Sequence, residues 1–132
     1  MIYSAQIRRV GEVEGEVWLN IKGKDLNCFA YNSMPREAKE GAFYPVELTP
    51  QVWGDYKVTE LAEDAPASTV QIGNSFAYVV TGQLNGNRLH TVGGLEFEDD
   101  FLLSEFGYLE GKMVAWQVDR IDAEFLSDVP IG

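Results

Sequence analysis

Hydrophobic and polar side chains alternate along most of this chain, and a period of two is typical of strands with one buried face. Val17, Leu19 and Ile21, for example, share one face of a predicted strand. The pair Asn85-Gly86 lies between two alternating runs and predicts a hairpin, because both central residues of a type I′ turn need positive φ. The pattern predicts strands at Ile2–Val10, 13–21, 26–31, 44–48, 56–61, 76–84, 88–92, 95–97 and 112–118.

Residues that cap helices predict two short helices between these strands. Ser33 can accept hydrogen bonds at the start of a helix that ends just before Gly41. Asp99 or Asp100 can cap a second helix, which runs to Phe106. Both helices are too short to dominate the fold, which we therefore expect to be mainly β.

Two positions are predicted to break or bend a strand. Pro50 is expected to interrupt the fourth strand, because proline cannot donate to a ladder of hydrogen bonds. The apolar residues change faces between Val118 and Ile121. Because a slip of one residue reverses the faces of a strand, a bulge or corner is predicted near Asp119-Arg120.

The order of predicted elements occurs twice along the chain. In each half, alternating strands lead into one short helix, a Glu-Gly turn and a further strand. The two turns are Glu40-Gly41 and Glu110-Gly111. The prediction is a single domain, 1–132, with an internal two-fold repeat whose halves are 1–61 and 70–126, joined by a polar linker at 62–69.

The order strand–strand–strand–helix–strand resembles the OB-fold, a small Greek-key barrel with a helix between its third and fourth strands. The resemblance concerns topology and brings no family motif with it. It implies a mainly β, antiparallel barrel-like architecture with two short helices. Such barrels serve as binding scaffolds more often than as catalytic ones.

Charge is the property of the composition that bears most on partners. The chain has 132 residues and a formal net charge of −11. Residues 91–132 contain ten acidic side chains against two basic ones, so much of the excess lies in the last third. Such a field attracts basic partners and repels nucleic-acid phosphates, although many acidic proteins use their charge only for solubility.

The sequence also predicts where the protein works. No stretch approaches the roughly 20 apolar residues of a membrane span. The first residues lack the apolar run of a signal peptide, and charge appears by Arg8. Cys28 is the single cysteine, which excludes an internal disulfide. We expect a cytoplasmic protein from a bacterium, archaeon or phage.

Three aromatic residues are predicted to share one mostly polar sheet face. Trp18 lies on the face of its strand opposite Leu19 and Ile21, and Phe29 and Tyr31 lie opposite the apolar residues of the next strand. Barrels of this kind stack bases or sugars on such surfaces. The alternative is that both faces of the sheet are buried, because an interior tryptophan is common in small β domains.

The acidic run before the second helix is the other candidate partner site. It consists of Glu96, Glu98, Asp99 and Asp100. The run lacks the alternating acid and glycine pattern of a calcium loop, and the positive end of the following helix explains two of the acids. We therefore predict a protein-binding surface with no metal and no other cofactor.

No catalytic motif is recognisable. His90 is the only histidine, and no nucleophile-elbow motif marks Ser75 or Ser104. Cys28 lies on the presumed core face, where cysteines are mostly inert. The sequence therefore predicts no catalytic residue, although a catalytic His90 or carboxylate pair stays an open alternative.

Three hypotheses of function follow from these observations. The first is a non-enzymatic binding module, in one form an acidic protein that binds a basic protein. The second is a barrel that binds single-stranded nucleic acid through Trp18, Phe29 and Tyr31, against which the net charge argues. The third is an enzyme of unfamiliar type. A homodimer is an open alternative, because strand edges and surface aromatics are expected.

Overall fold

The computed structural model describes residues 1–131, which form two sheets and little helix. The helical part is α1 (Asp100–Phe106), followed directly by a 3₁₀ turn at Gly107–Leu109, and a separate 3₁₀ turn at Val92–Gly94. The strands are β1 (Ile2–Val10), β2 (Glu16–Ile21), β3 (Lys24–Phe29), β4 (Phe43–Gln51), β5 (Lys57–Glu60), β6 (Ser68–Gln71), β7 (Tyr78–Asn85), β8 (Arg88–His90), β9 (Glu96–Glu98), β10 (Met113–Val118) and β11 (Arg120–Phe125).

Five strands close a barrel in the order β1-β2-β3-β11-β4, which confirms the mainly β, barrel-like architecture. Most neighbours in the barrel are antiparallel, but β11 runs parallel to β3. In the described chain this parallel contact is one residue pair, Asp122 with Phe29. The β3–β11 seam is therefore the weakest closure of the barrel.

The segment between β4 and β11 forms the second sheet, which is open. Its order is β5-β10-β7-β8-β9, with β6 beside the first half of β7 and β8 beside the second half. Apolar side chains from both sheets belong to one core. The half-repeats 1–61 and 70–126 stay a prediction. The other four barrel strands come from the first half, and β11, from the second half, completes the barrel.

The predicted corner at Asp119-Arg120 is present, and it carries the chain from one sheet to the other. β10 ends at Val118, a bend follows at Asp119, and β11 begins at Arg120. Val118 and Ile121 are both fully buried, so the change of face keeps the apolar side chains of both strands in the core.

One predicted helix is confirmed and the other is wrong. Asp99 caps α1 by accepting a hydrogen bond from the Phe101 N–H at 2.9 Å. The segment from Ser33 to Gly41 contains turns and no helix. The Ser33 hydroxyl instead accepts from the Phe125 N–H and donates to the Ala123 carbonyl, so it strengthens the closure of the barrel at β11. No helix within residues 1–131 is both long enough and apolar enough to cross a membrane.

Two local strand predictions are also corrected. The central residues of the β7–β8 turn are Gly86-Asn87, one residue later than the predicted Asn85-Gly86, and His90 therefore pairs with Gln83. Only Gly86 of the two has a positive φ. This favours a type II′ turn, which needs glycine in the first central position, over the expected type I′ turn. Pro50 does not interrupt β4, because it lies where that strand pairs with β11 alone.

Two buried tyrosine hydroxyls join the barrel to the second sheet. Tyr78 of β7 accepts a hydrogen bond from the Asn27 N–H of β3 at 2.7 Å. Tyr3 of β1 donates to the Glu96 carbonyl and accepts from the Glu96 N–H. These hydroxyls satisfy backbone groups that the sparse pairing between the sheets leaves free.

Candidate functional site

A stack of three aromatic rings and one guanidinium lies on the outside of the barrel. The rings of Tyr31 and Phe29 are 6.1 Å apart and nearly parallel. The Arg120 guanidinium carbon lies 4.2 Å from the centre of the Phe29 ring and 4.9 Å from the centre of the Trp53 ring. The order Tyr31, Phe29, Arg120, Trp53 is called the ladder below.

The seam between β3 and β11 explains why these residues meet. Phe29 ends β3 and Arg120 begins β11, at the one place where the two strands pair. Trp53 lies in the loop after β4, and its backbone N–H donates to the Asp119 carboxylate at 2.7 Å, which holds the loop against the corner. The ladder is thus assembled from three separate parts of the chain.

The charge of Arg120 is neutralised within the chain. Its Nε and Nη2 donate to the two carboxylate oxygens of Asp122 at 2.5 and 3.2 Å. This bidentate geometry is the strongest form of an arginine–carboxylate pair. Asp122 and Arg120 point outward from the same face of β11, so the fork fixes the guanidinium plane between the rings.

A groove with a volume of about 710 Å³ runs beside the ladder. Tyr31 and Trp53 at the two ends of the ladder are 58% and 60% exposed, so their rings are available to a partner. Among the described residues that line the groove, two are carboxylates and one is a cation. The lining consists of Phe29, Ala30, Tyr31, Asn32, Ser33, Thr49, Gln51, Arg120, Asp122, Ala123 and Glu124.

The structure brings Phe29 and Tyr31 together but sets Trp18 apart from them. Trp18 lines a different groove, where the Arg9 guanidinium lies 5.0 Å from the centre of its ring. Phe76, from the loop before β7, packs edge-on against Phe29. The second sheet therefore covers part of the face on which the three aromatics were expected to be displayed together.

The four acids of the predicted partner surface all have partners inside the molecule. Glu96 contacts His90 Nδ1 at 2.8 Å, and Glu98 contacts Arg88 Nε at 3.2 Å. Asp99 accepts from the Tyr56 hydroxyl at 2.6 Å. Asp100 accepts from the side-chain amide of Asn87 at 2.9 Å. These contacts stabilise β8, β9 and α1, and that is a structural role.

Among the described residues, no hydroxyl or thiol is hydrogen-bonded to His90. Glu96 is the one side-chain partner of His90 within the described chain. Burial raises the pKa of the Cys28 thiol, which keeps it protonated and unreactive. Residues 1–131 contain no group of three histidine, cysteine, aspartate or glutamate side chains that could hold a metal ion.

Sequence reasoning missed Trp53 and Arg120, which complete the ladder. The corner at Asp119-Arg120 was predicted, but nothing in the sequence indicated that the chain would return there to Phe29. Trp53 follows Pro50 in a segment where apolar and polar residues do not alternate. The pattern therefore could not predict whether its side chain is buried or exposed. The parallel pairing of β3 with β11 brings these residues together, and sequence spacing carries no information about it.

The comparisons with known proteins give a family and nothing closer. Neither a curated protein sequence nor a solved structure matches the chain. The family model that matches spans residues 1–126, which include every strand of both sheets and the whole ladder. The chain therefore belongs to the family described as Uncharacterised conserved protein UCP019853.

Proposed function

We propose that this protein is a non-enzymatic binding module that recognises a cationic segment of a partner protein through the groove beside the ladder. One observation carries the proposal. The ladder already holds a guanidinium between two rings, and its two end rings are exposed. A partner's arginine or lysine that stacks on Tyr31 or Trp53 would extend an arrangement that the chain builds for itself.

The free energy of such contacts is sufficient for a specific but moderate affinity. A cation over an aromatic ring contributes about 0.5–1 kcal/mol at an exposed site and about 2 kcal/mol when desolvated. Glu124 lines the groove and has no ion pair among residues 1–131, so its carboxylate is available to a partner's cation. Two stacked cations and one charge-assisted hydrogen bond favour binding of a short basic segment.

The field of the whole molecule supports the same class of partner. With a net charge of −11, the protein accelerates the approach of a basic protein and slows the approach of a polyanion. A cytoplasmic location and a bacterial, archaeal or phage source, both predicted from the sequence, are compatible with this function. It makes no use of Glu96, Glu98, Asp99 or Asp100, whose carboxylates have internal partners.

The groove gives less support to single-stranded nucleic acid as the ligand. Aromatic stacking would suit bases, but such sites combine it with positive charge along the phosphate backbone. Arg120 is the one cation among the described residues that line the groove, and Asp122 occupies its hydrogen-bonding fork. Phosphates would therefore meet a surface with an excess of carboxylates.

Binding of short homopeptides tests the proposal. Fluorescence anisotropy of labelled hexa-arginine, hexa-lysine and hexa-glutamate measures affinity at low and at physiological salt. We expect saturable binding of both basic peptides and none of hexa-glutamate. Tyr31→Ala and Glu124→Gln should each weaken binding about tenfold or less, in line with the loss of one exposed cation contact.

A matched charge change separates a site from general attraction. Glu63→Gln removes the same charge at an exposed position that lines a different groove, beside β5 and β10. We expect it to leave the affinity for hexa-arginine within about twofold of that of the unaltered protein. Equal losses in Glu63→Gln and Glu124→Gln, or tighter binding of a labelled oligothymidylate, would overturn the proposal.

A further inference from the structure

A second groove, with a volume of about 530 Å³, lies between the β1–β2 hairpin and the loop before β7. Trp18 and Asn27 form part of its wall from directly opposite positions on β2 and β3. Its rim contains Gln71 and Asn74 from the second sheet and the loop that follows it. The groove is large enough for one small heterocyclic molecule.

The wall of this groove contains a donor and an acceptor without partners. The Trp18 indole N–H and the Asn27 side-chain oxygen are both buried, and neither has a hydrogen bond within the described residues. Asn27 as a whole is 2% exposed. Buried polar groups in folded proteins are nearly always paired, and an unpaired one is costly. A neighbouring donor and acceptor in one groove wall therefore indicate a ligand that supplies both missing partners.

The arginine side chain that lies over the Trp18 ring in this groove is weakly held. The Arg9 guanidinium lies over the Trp18 ring, and the ion pairs found in residues 1–131 do not involve it. Glu16, the nearest acid on the same strand as Trp18, is turned toward the hairpin loop, where it accepts from the Val13 N–H at 3.5 Å. Arg9 can therefore swing away from the groove without breaking an ion pair.

We propose that this groove binds a small, uncharged cyclic amide, such as a lactam, cyclic urea or pyrimidine. Such a molecule presents a carbonyl oxygen next to an N–H in one plane. The carbonyl accepts from the Trp18 indole N–H, and the N–H donates to the Asn27 side-chain oxygen. Glu12 and Glu16 in the lining disfavour an anion.

Titration with uracil, followed by the indole N–H resonances in ¹H–¹⁵N NMR spectra, tests this site. The three tryptophans give separate probes, of which Trp18 alone lines the second groove. We expect a saturable shift of the Trp18 resonance with uracil. The matched ligand is 1,3-dimethyluracil, which keeps the ring but has no N–H donor, and it should bind at least tenfold more weakly.

Protein variants separate the indole N–H from general effects on the surface. Trp18→Phe keeps a ring but loses the donor, so equilibrium dialysis should show uracil binding at least tenfold weaker. Trp53→Phe makes the same change in the ladder and should leave uracil binding unchanged. Equal binding of uracil and 1,3-dimethyluracil would overturn the proposal, as would an unshifted Trp18 resonance up to the solubility limit of uracil.

Discussion

The guanidinium carbon of Arg120 lies 4.9 Å from the centre of the Trp53 ring, and this contact joins the start of β11 to the loop after β4. Trp53 is 60% exposed, so the contact does not arise from burial in the core. The Asp122 fork and the Phe29 ring complete the environment of the guanidinium. Asp122, Phe29 and Trp53 therefore hold the Arg120 guanidinium in place. Because the guanidinium is fixed, the rings beside it form a preformed surface for a partner.

Replacement of Arg120 by lysine is expected to destabilise the protein even though the charge is kept. Lysine cannot stack as a plane between two rings, and it lacks the planar fork that matches the two Asp122 oxygens. We expect Arg120→Lys to lower the free energy of unfolding by about 1–2 kcal/mol, measured by urea denaturation. Arg8→Lys is the matched control, because Arg8 pairs with Asp25 in a more exposed setting and should change stability by less than about 0.5 kcal/mol. Equal effects would contradict the role of the ladder.

Gly82 is expected to tolerate no side chain. It lies where the partner of β7 changes from β6 to β8, and a Cβ there would overlap the carbonyl oxygen of His90, a backbone atom that cannot move aside. Gly82→Ala should lower the free energy of unfolding by about 2–4 kcal/mol or prevent folding. Gly107→Ala is the control, since its Cβ would enter open space at an ordinary helical φ. Similar thermal unfolding of the two variants would exclude this close approach.

The Tyr78 hydroxyl is expected to make stability depend on alkaline pH. Burial raises the pKa of Tyr78 from 10.0 to about 12. The folded protein therefore holds this proton more tightly than the unfolded chain does. Its contribution is intact below pH 10 and is lost as the pH rises from 10 toward 12.

The variant Tyr78→Phe tests both roles of this hydroxyl. At neutral pH it leaves the Asn27 N–H unpaired, which should cost about 1–3 kcal/mol. Above pH 10 its stability should fall less steeply than that of the unaltered protein. Tyr108→Phe, at a mostly exposed residue, should change neither quantity. An unaltered pH slope in Tyr78→Phe would show that Tyr78 is not linked to folding in this way.

Asp99 is expected to act as a helix cap and not as a contact for a partner. Asp99→Ala should lower the free energy of unfolding by about 1 kcal/mol, because the Phe101 N–H loses its acceptor. Asp99→Asn keeps a capping oxygen and should recover most of that loss. Neither variant should alter the affinity for hexa-arginine. Weaker peptide binding in Asp99→Asn would instead support the acidic run as a partner surface.

Local periodicity was enough to predict most strands and the corner at Asp119-Arg120. The alternation of Val114, Trp116 and Val118 is a direct consequence of one buried face, so it can be read without tertiary contacts. The wrong helix after Ser33 has the opposite cause. The Ser33 hydroxyl does bond to backbone groups, as a helix cap would. Those groups belong to β11, about ninety residues further along the chain, and not to a following helix.

The candidate site was predictable only in part, because half of it depends on long-range pairing. Phe29 and Tyr31 were identified from strand parity, and they lie side by side as expected. Arg120 and Trp53 join them through the β3–β11 pair and the Asp119 contact with the Trp53 N–H. Trp18 lies apart from Phe29 because residues of the second sheet and its loops pack on that face of the barrel. The local sequence pattern does not predict this packing.

The central claim is that the groove beside the ladder, and not the acidic surface in general, binds cationic segments. A map of backbone chemical shifts in the ¹⁵N-labelled protein, titrated with hexa-arginine, tests it most directly. The account predicts that the largest shifts cluster at residues 29–33, 52–54 and 119–124. Largest shifts at residues 96–105, or shifts spread evenly over the acidic surface, would contradict it.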